Sequence, residues 1–207
     1  MDQILLFFIS SLALTLIPGP DILFVINQSL EDKKSGFLVV LGLCSGLVIH
    51  TLIIVFGVSS LIQQNYVIID FFKYFGTLYL FYLAFIELKK NNKLNIKVKE
   101  NFYLRGVYMN LINPKVLLFF IAYFPNFLFS NTIPISYQFI ILGSIFISQA
   151  LVIFSLVSLA SNKIILLIDV DLKSKKIVFL KSFIFIVIGL TILIWRYYIL
   201  ICIFACN

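Results

Sequence analysis

Leu16-Ile17-Pro18-Gly19-Pro20-Asp21 interrupts an apolar run that extends from Ile4 to Ile26. Such a run is long enough to cross a bilayer, since roughly 20 residues at about 1.5 Å rise span a hydrocarbon core of about 30 Å. Pro18 and Pro20 each lack an N–H and crowd the carbonyl four residues back, and Gly19 stands between them, so a regular helix cannot pass. Asp21 follows at once. In hydrocarbon, both the freed backbone groups and the carboxylate are costly unless something satisfies them. The stretch therefore predicts a membrane-spanning helix broken at a polar site.

Composition supports the bilayer as solvent. The 207 residues are 62% hydrophobic and 12% charged, with a mean hydropathy of +1.10. A soluble domain of this size could not hide that much apolar surface. The length allows one compact bundle, a single transmembrane domain over residues 1–207, and no separate soluble domain. A pI of about 9.3 would suggest nucleic acid in a soluble protein. Here the basic residues fall in short gaps between apolar runs, where topology explains them, and no nucleic-acid partner is expected. Cys44, Cys202 and Cys206 form neither a disulfide framework nor a zinc site. No metal and no cofactor are expected. The N-terminal Met1-Asp2-Gln3 carries no Lys or Arg, and apolar sequence resumes after Pro20, so the first span reads as retained rather than cleaved.

Six spans follow from the hydropathy: about Ile4–Asn27, Gly36–Ile62, Val67–Leu88, Gly106–Phe129, Ile135–Ala160 and Ile177–Ile201. The apolar runs are continuous and do not alternate with period two, which argues against a β-barrel. Loops Ser29–Ser35, Lys89–Arg105 and Asn162–Lys176, with Lys181 beside the last, hold thirteen of the 16 basic residues. Six spans put these loops on one side, and the positive-inside rule makes it the cytoplasm, with both termini outside. Trp195, Tyr197 and Tyr198 suit an outer aromatic belt.

The halves on either side of the 89–105 loop echo each other, repeat one being about 1–88 and repeat two about 106–201. Ile17-Pro18-Gly19-Pro20-Asp21-Ile22-Leu23 aligns with Leu111-Ile112-Asn113-Pro114-Lys115-Val116-Leu117. The match sets Pro20 on Pro114 and Asp21 on Lys115. Three spans per half is an odd number, so the copies are inverted in the membrane. The expected fold is all-α: six transmembrane helices as two inverted three-helix repeats, with helices 1 and 4 broken. Interrupted helices in corresponding places of inverted repeats point to a transporter's binding site.

Asp21 and Lys115 lie roughly 12 and 15 Å of helix rise from the cytoplasmic loops, deep enough to need a partner or water. Either they pair and hold the broken helices together, or they form a site for a zwitterion or coupling ion. Asn113 can satisfy backbone exposed by Pro114 or bind a polar ligand. Gly42, Gly46, His50 and Gly57 share one face of the second span. Gly42-x-x-x-Gly46 permits close helix approach. His50, the single histidine, reads either as a proton relay or as a buried, neutral, hydrogen-bonded group. Asn27 and Asn110 also lie near the breaks, and Ser144, Ser148, Ser155 and Gln149 form a polar stripe on the fifth span.

Pro18-Gly19-Pro20-Asp21 followed by Gly42-x3-Gly46-x3-His50 resembles the LysE/RhtB family of amino-acid exporters. So do Tyr79–Ala84 and Gly106, Asn110-Leu111-Ile112-Asn113-Pro114-Lys115, Phe119-Phe120 and Phe124-Pro125-x-Phe127. The resemblance runs across nearly the whole chain. It is weakest in the fifth and sixth spans. It implies an inner-membrane, proton-driven exporter of amino acids or their derivatives, with a small-molecule substrate, the lipid bilayer and a proton as partners, and a homo-oligomer as one state of assembly. Lys115 would then favour the substrate carboxylate, and Asp21 its ammonium.

Three other readings stand beside this one. An exporter of metal ions or other small solutes on a related fold predicts clustered Cys, His or carboxylate ligands within the spans. A thiol-redox carrier needs facing cysteines in two spans. An inactive relative is opposed by the intact elements around Asp21 and Lys115. No Walker-type phosphate loop is visible, so direct ATP coupling by this chain is not expected, and an enzyme is not expected either.

Overall fold

Pro20 and Pro114 each take a place where a missing N–H costs nothing. In the computed structural model Pro20 and Pro114 both stand in the first turn of a helix that restarts after an interruption. The structure describes residues 2–17, 19–59 and 101–168 without interruption. It also describes residues 74, 75, 77, 78, 81, 82, 85, 179, 182, 183, 186, 187 and 190. Pro18, most of the expected third and sixth spans, residues 89–100 of the central loop and residues 169–176 of the basic loop lie outside the described residues, as do Tyr79, Leu80, Cys202 and Cys206. The isolated positions described within the third and sixth spans are helical.

All regular structure among the described residues is helical. Helix α1 covers Asp2–Leu16, α2 Pro20–Glu31 and α3 Lys33–Ile53, which runs on into a π-helical turn at Ile54–Val58. Helix α4 covers Phe102–Leu111 and α5 Pro114–Leu118. A π-helical turn at Phe119–Tyr123 and a 3-10 turn at Phe124–Phe127 extend α5. Helix α6 covers Ile135–Ile168. The axis turns by 55° between α1 and α2, and α4 and α5 are separated only by Ile112 and Asn113.

Several boundaries differ from the sequence expectation, among them the start of α4 at Phe102, inside the loop expected to run to Arg105. The loop expected at Ser29–Ser35 shrinks to one extended residue, Asp32, which ends α2 and caps α3. Its carboxylate accepts from Ser35 N at 2.8 Å, Lys34 N at 3.3 Å and Ser35 Oγ at 2.6 Å. A polar stretch was read as loop where a single good cap lets two helices meet. The fifth span was expected to stop near Ala160. Helix α6 continues to Ile168 because no proline or glycine follows Gly143 within it.

Segments Lys33–Gly57 and Ile135–Lys163 are long and apolar enough to cross a membrane, and the bent pair Gln3–Leu16 and Pro20–Glu31 qualifies as one further span. Their outward faces stay apolar: Phe56 is 78% and Leu159 74% exposed. Together these features describe a multi-pass membrane protein.

Helix α3 packs most extensively on α4 and also contacts α2 and α6. Glycine makes the α3–α4 contact this close. A Cβ on Gly42 would lie 3.0 Å from Gly106 Cα and would overlap Tyr103 O. Where the helices are this near, Tyr103 Oη donates to Ser45 Oγ at 2.9 Å. Gly57, on the same stripe in sequence, faces open space. Phe7, Phe119, Phe120, Phe124, Phe127 and Phe146 form an aromatic block between α1, α5 with its extension, and α6.

Candidate functional site

The two interruptions bring the starts of α2 and α5 together. Asp21 occupies the first turn of α2 and is 2% exposed. Lys115 follows Pro114 in α5 and is also buried. Lys115 Nζ lies 3.4 Å from Asp21 Oδ2. The carboxylate sits at the positive end of the α2 dipole, which favours it. The ammonium sits at the start of its own helix, which does not, so it depends on partners from elsewhere.

One partner is Asp21. The other is Leu14 O, which accepts from Lys115 Nζ at 3.3 Å. Leu14 is four residues before Pro18. A helix would close the Leu14 carbonyl with the N–H of residue 18, and proline has none. The helix break thus releases a carbonyl that receives the lysine.

Asn113 ties the two breaks. As the N-cap of α5 its Oδ1 accepts from Lys115 N at 3.1 Å. Its Nδ2 donates to Asp21 Oδ1. One amide therefore serves both the backbone and the carboxylate.

His50 stands one step away. Its ring stacks on Phe120 with centroids 5.3 Å apart, and its Nε2 lies 3.5 Å from Asn110 O. Asn110 is four residues before Pro114, so its carbonyl is also one that a proline cannot serve. It accepts instead from Asn113 N at 3.1 Å, with His50 at the outer limit of hydrogen-bond distance.

A small cavity adjoins the ion pair. Leu14, Thr15, Asp21, Asn110, Lys115 and Val116 line it, with Leu47, Phe146, Ala150 and Phe154 on α3 and α6. Its volume of about 10 Å³ suits roughly one water molecule. His50 is not among the lining residues. Asn110 is 1% exposed, and its Oδ1 has no hydrogen-bond partner among the described residues. Gly46 makes room for this amide: a Cβ there would stand 2.6 Å from both Asn110 Cβ and Oδ1.

Phe119 stacks on Tyr123 at 4.9 Å, and Phe120 stacks on Phe124 at 4.5 Å. Between α2 and α6, Ser29 Oγ and Ser158 Oγ share a hydrogen bond of 2.7 Å. Lys33 Nζ there donates to Ser158 O at 2.9 Å and Ser161 Oγ at 2.6 Å. Away from the cavity, Gln149 joins α6 to α1 through Ser11 Oγ at 2.5 Å and Phe8 O at 2.9 Å.

The structure thus gathers Asp21, Lys115 and Asn113 at one point, with Gly19, Pro20 and Pro114 framing it. Gly42 and Gly46 lie at the α3–α4 contact. Ser144 and Ser148 are exposed and donate to carbonyls one turn back. Asn110, which the sequence favoured less than Asn113, lines the cavity. Its signal was its place four residues past Gly106, on the α4 face that meets α3.

The family model described as LysE type translocator matches residues 12–196. The chain is 28% identical over 161 residues to "Uncharacterized membrane protein YrhP" of Bacillus subtilis (strain 168), covering 70% of this chain and 76% of that protein. It is 28% identical over 130 residues to "Leucine efflux protein" of Salmonella choleraesuis (strain SC-B67), covering 59% of this chain and 61% of that protein. No solved structure matches.

Proposed function

This chain belongs to the LysE type translocator family, and from that premise we propose that it exports amino acids or amino-acid derivatives across the inner membrane by proton-coupled secondary transport. The observation that carries the reading is the buried Asp21–Lys115 pair at two facing helix breaks. Its two charges complement the two charges of a zwitterion. The similarity to a leucine efflux protein supports an amino-acid substrate.

In this reading the single domain spans the membrane six times as two inverted repeats, about 1–88 and 106–201. The loops 29–35, 89–105 and 162–176 are cytoplasmic, with both termini outside. Lys115 draws the substrate carboxylate, Asp21 its ammonium, and Asn113 keeps the two helix starts in register. Protonation of Asp21 from outside would free Lys115 and reset the site. His50 braces the end of α4 and does not carry the proton. Gly42 and Gly46 are packing positions, and the bundle works as a monomer or as a homo-oligomer.

The test is efflux of radiolabelled leucine and other amino acids from loaded proteoliposomes under an imposed proton gradient. Wild-type protein should release at least one amino acid faster with the gradient than without it. No effect on any amino acid would defeat the reading. Undiminished gradient-driven efflux in Asp21→Asn would remove Asp21 from coupling.

A further inference from the structure

Lys115 is seated as a ligand would be. Its ammonium has one carboxylate oxygen, Asp21 Oδ2, at 3.4 Å and one released carbonyl, Leu14 O, at 3.3 Å. A second neutral acceptor, Asn110 Oδ1, is buried without a partner among the described residues, on a residue that lines the same cavity. A primary ammonium has three N–H donors. One anion and two carbonyl oxygens are a full complement for it. The lysine already uses two of the three.

We propose that Asp21 Oδ2, Leu14 O and Asn110 Oδ1 form a primary-ammonium site, which Lys115 fills with its own side chain whenever the transporter is empty. The proposal rests on the amino-acid reading above and assigns the chemistry within it. The cavity holds roughly one water, so an incoming ammonium cannot sit beside the lysine and must displace it. The displaced lysine then needs an anion, which an amino acid brings as its carboxylate. An unpaired asparagine oxygen in the empty state becomes paired in the loaded state, so ligand binding gains a hydrogen bond that the lysine does not make.

This arrangement makes both substrate charges obligatory. A simple amine would evict Lys115 and leave it buried without an anion. A simple carboxylate would draw Lys115 away and leave Asp21 unpaired. Either outcome strands a buried charge, which is costly. The lysine thereby closes the empty site and excludes ligands that carry only one of the two groups.

The full-length protein in lipid nanodiscs tests this by calorimetric binding of L-leucine, isoamylamine and isocaproate. Wild type should bind leucine and reject the other two. Lys115→Met vacates the site, so isoamylamine should bind at least about tenfold more tightly than to wild type and compete with leucine. Gly19→Ala provides an independent variant that keeps the charge. Its Cβ would stand 3.3 Å from Lys115 Nζ, loosening the lysine's seat, and isoamylamine binding should again rise. Asn110→Ala should weaken leucine binding about tenfold, the loss of one charge-assisted hydrogen bond.

Isoamylamine binding equal to wild type in folded Lys115→Met overturns the proposal. Should that variant not fold, an unchanged isoamylamine affinity in Gly19→Ala overturns it. If wild type exports an amino acid while the amine gain is absent, the ammonium site falls and the transport reading stands. If wild type neither binds nor exports any amino acid, the transport reading falls, and the amine gain in the variants still decides the site.

Discussion

Lys115 Nζ meets Asp21 Oδ2 at 3.4 Å, with the two side chains 8% and 3% exposed, across a gap of 94 positions in sequence. A buried ion pair contributes little net stability, yet removing one member leaves the other charge unpaired. Asp21→Asn and Lys115→Met should therefore each cost about 3–5 kcal/mol. The double variant should recover most of that loss while remaining unable to transport. Thermal unfolding in detergent, run as a double-mutant cycle, measures the coupling. Additive losses in the cycle would mean that the pair does not hold the two breaks together.

The α3–α4 contact makes a second prediction. Gly42→Ala puts a methyl group against Tyr103 O and 3.0 Å from Gly106 Cα. Both opposing groups are backbone, so the helices must separate, at a cost of about 1–3 kcal/mol. Gly57→Ala is the control, since nothing stands within 4 Å of its Cβ position. Its unfolding midpoint should not fall. Equal midpoints for the two variants would contradict the close approach.

How much of this site was legible depended on which chemical signal each part gives. Pro18, Pro20 and Pro114 announce breaks by what proline lacks, and Asp21 and Lys115 stand out as charges in apolar runs. That was enough to nominate the pair. The acceptors were harder to see. Leu14 and Asn110 contribute carbonyls released by prolines four residues later, and nothing in a leucine's side chain advertises its backbone. Asn110 Oδ1 becomes notable only when burial shows that it has no partner among the described residues. Asp32 was hidden differently: Ser29–Ser35 is polar enough to resemble a loop, although one capping carboxylate suffices to join two helices. The serine stripe on α6 carries little signal, because helical serines satisfy themselves on their own backbone, as Ser144 and Ser148 do.

Asp32 gives a pH prediction outside the membrane-spanning segments. The hydroxyl of Ser35, then its backbone N–H, holds the Asp32 carboxyl below the ordinary carboxylate range. A carboxyl lowered on folding stabilises the fold fully above its unfolded pKa. That contribution is lost as pH falls through the lower, folded value. The unfolding midpoint should therefore decline more steeply below about pH 4 in wild type than in Asp32→Asn, which keeps a capping oxygen without a titrating group. Parallel acid profiles for the two proteins would show that the cap carries no pH-dependent stability.

His50 is the residue on which the two functional readings of the second span part. A relay must reach the group that it serves, and His50 does not line the cavity beside Asp21. Its contacts are a stacked Phe120 ring and the carbonyl of Asn110. The carbonyl contact braces the end of α4, and the stack braces the extension of α5. His50→Phe keeps the stack and abolishes titration. It should retain gradient-driven efflux with an unshifted pH profile, losing at most about 1–2 kcal/mol of stability with the hydrogen bond. His50→Ala also loses the stack, and should lower the unfolding midpoint further while leaving the pH profile in place. Efflux from proteoliposomes across a series of external pH values distinguishes the roles. A profile that flattens in His50→Phe would make His50 the proton carrier and reduce Asp21 to a binding group. An unchanged profile leaves Asp21 as the buried acid at the break, next to the one cation that its protonation would release.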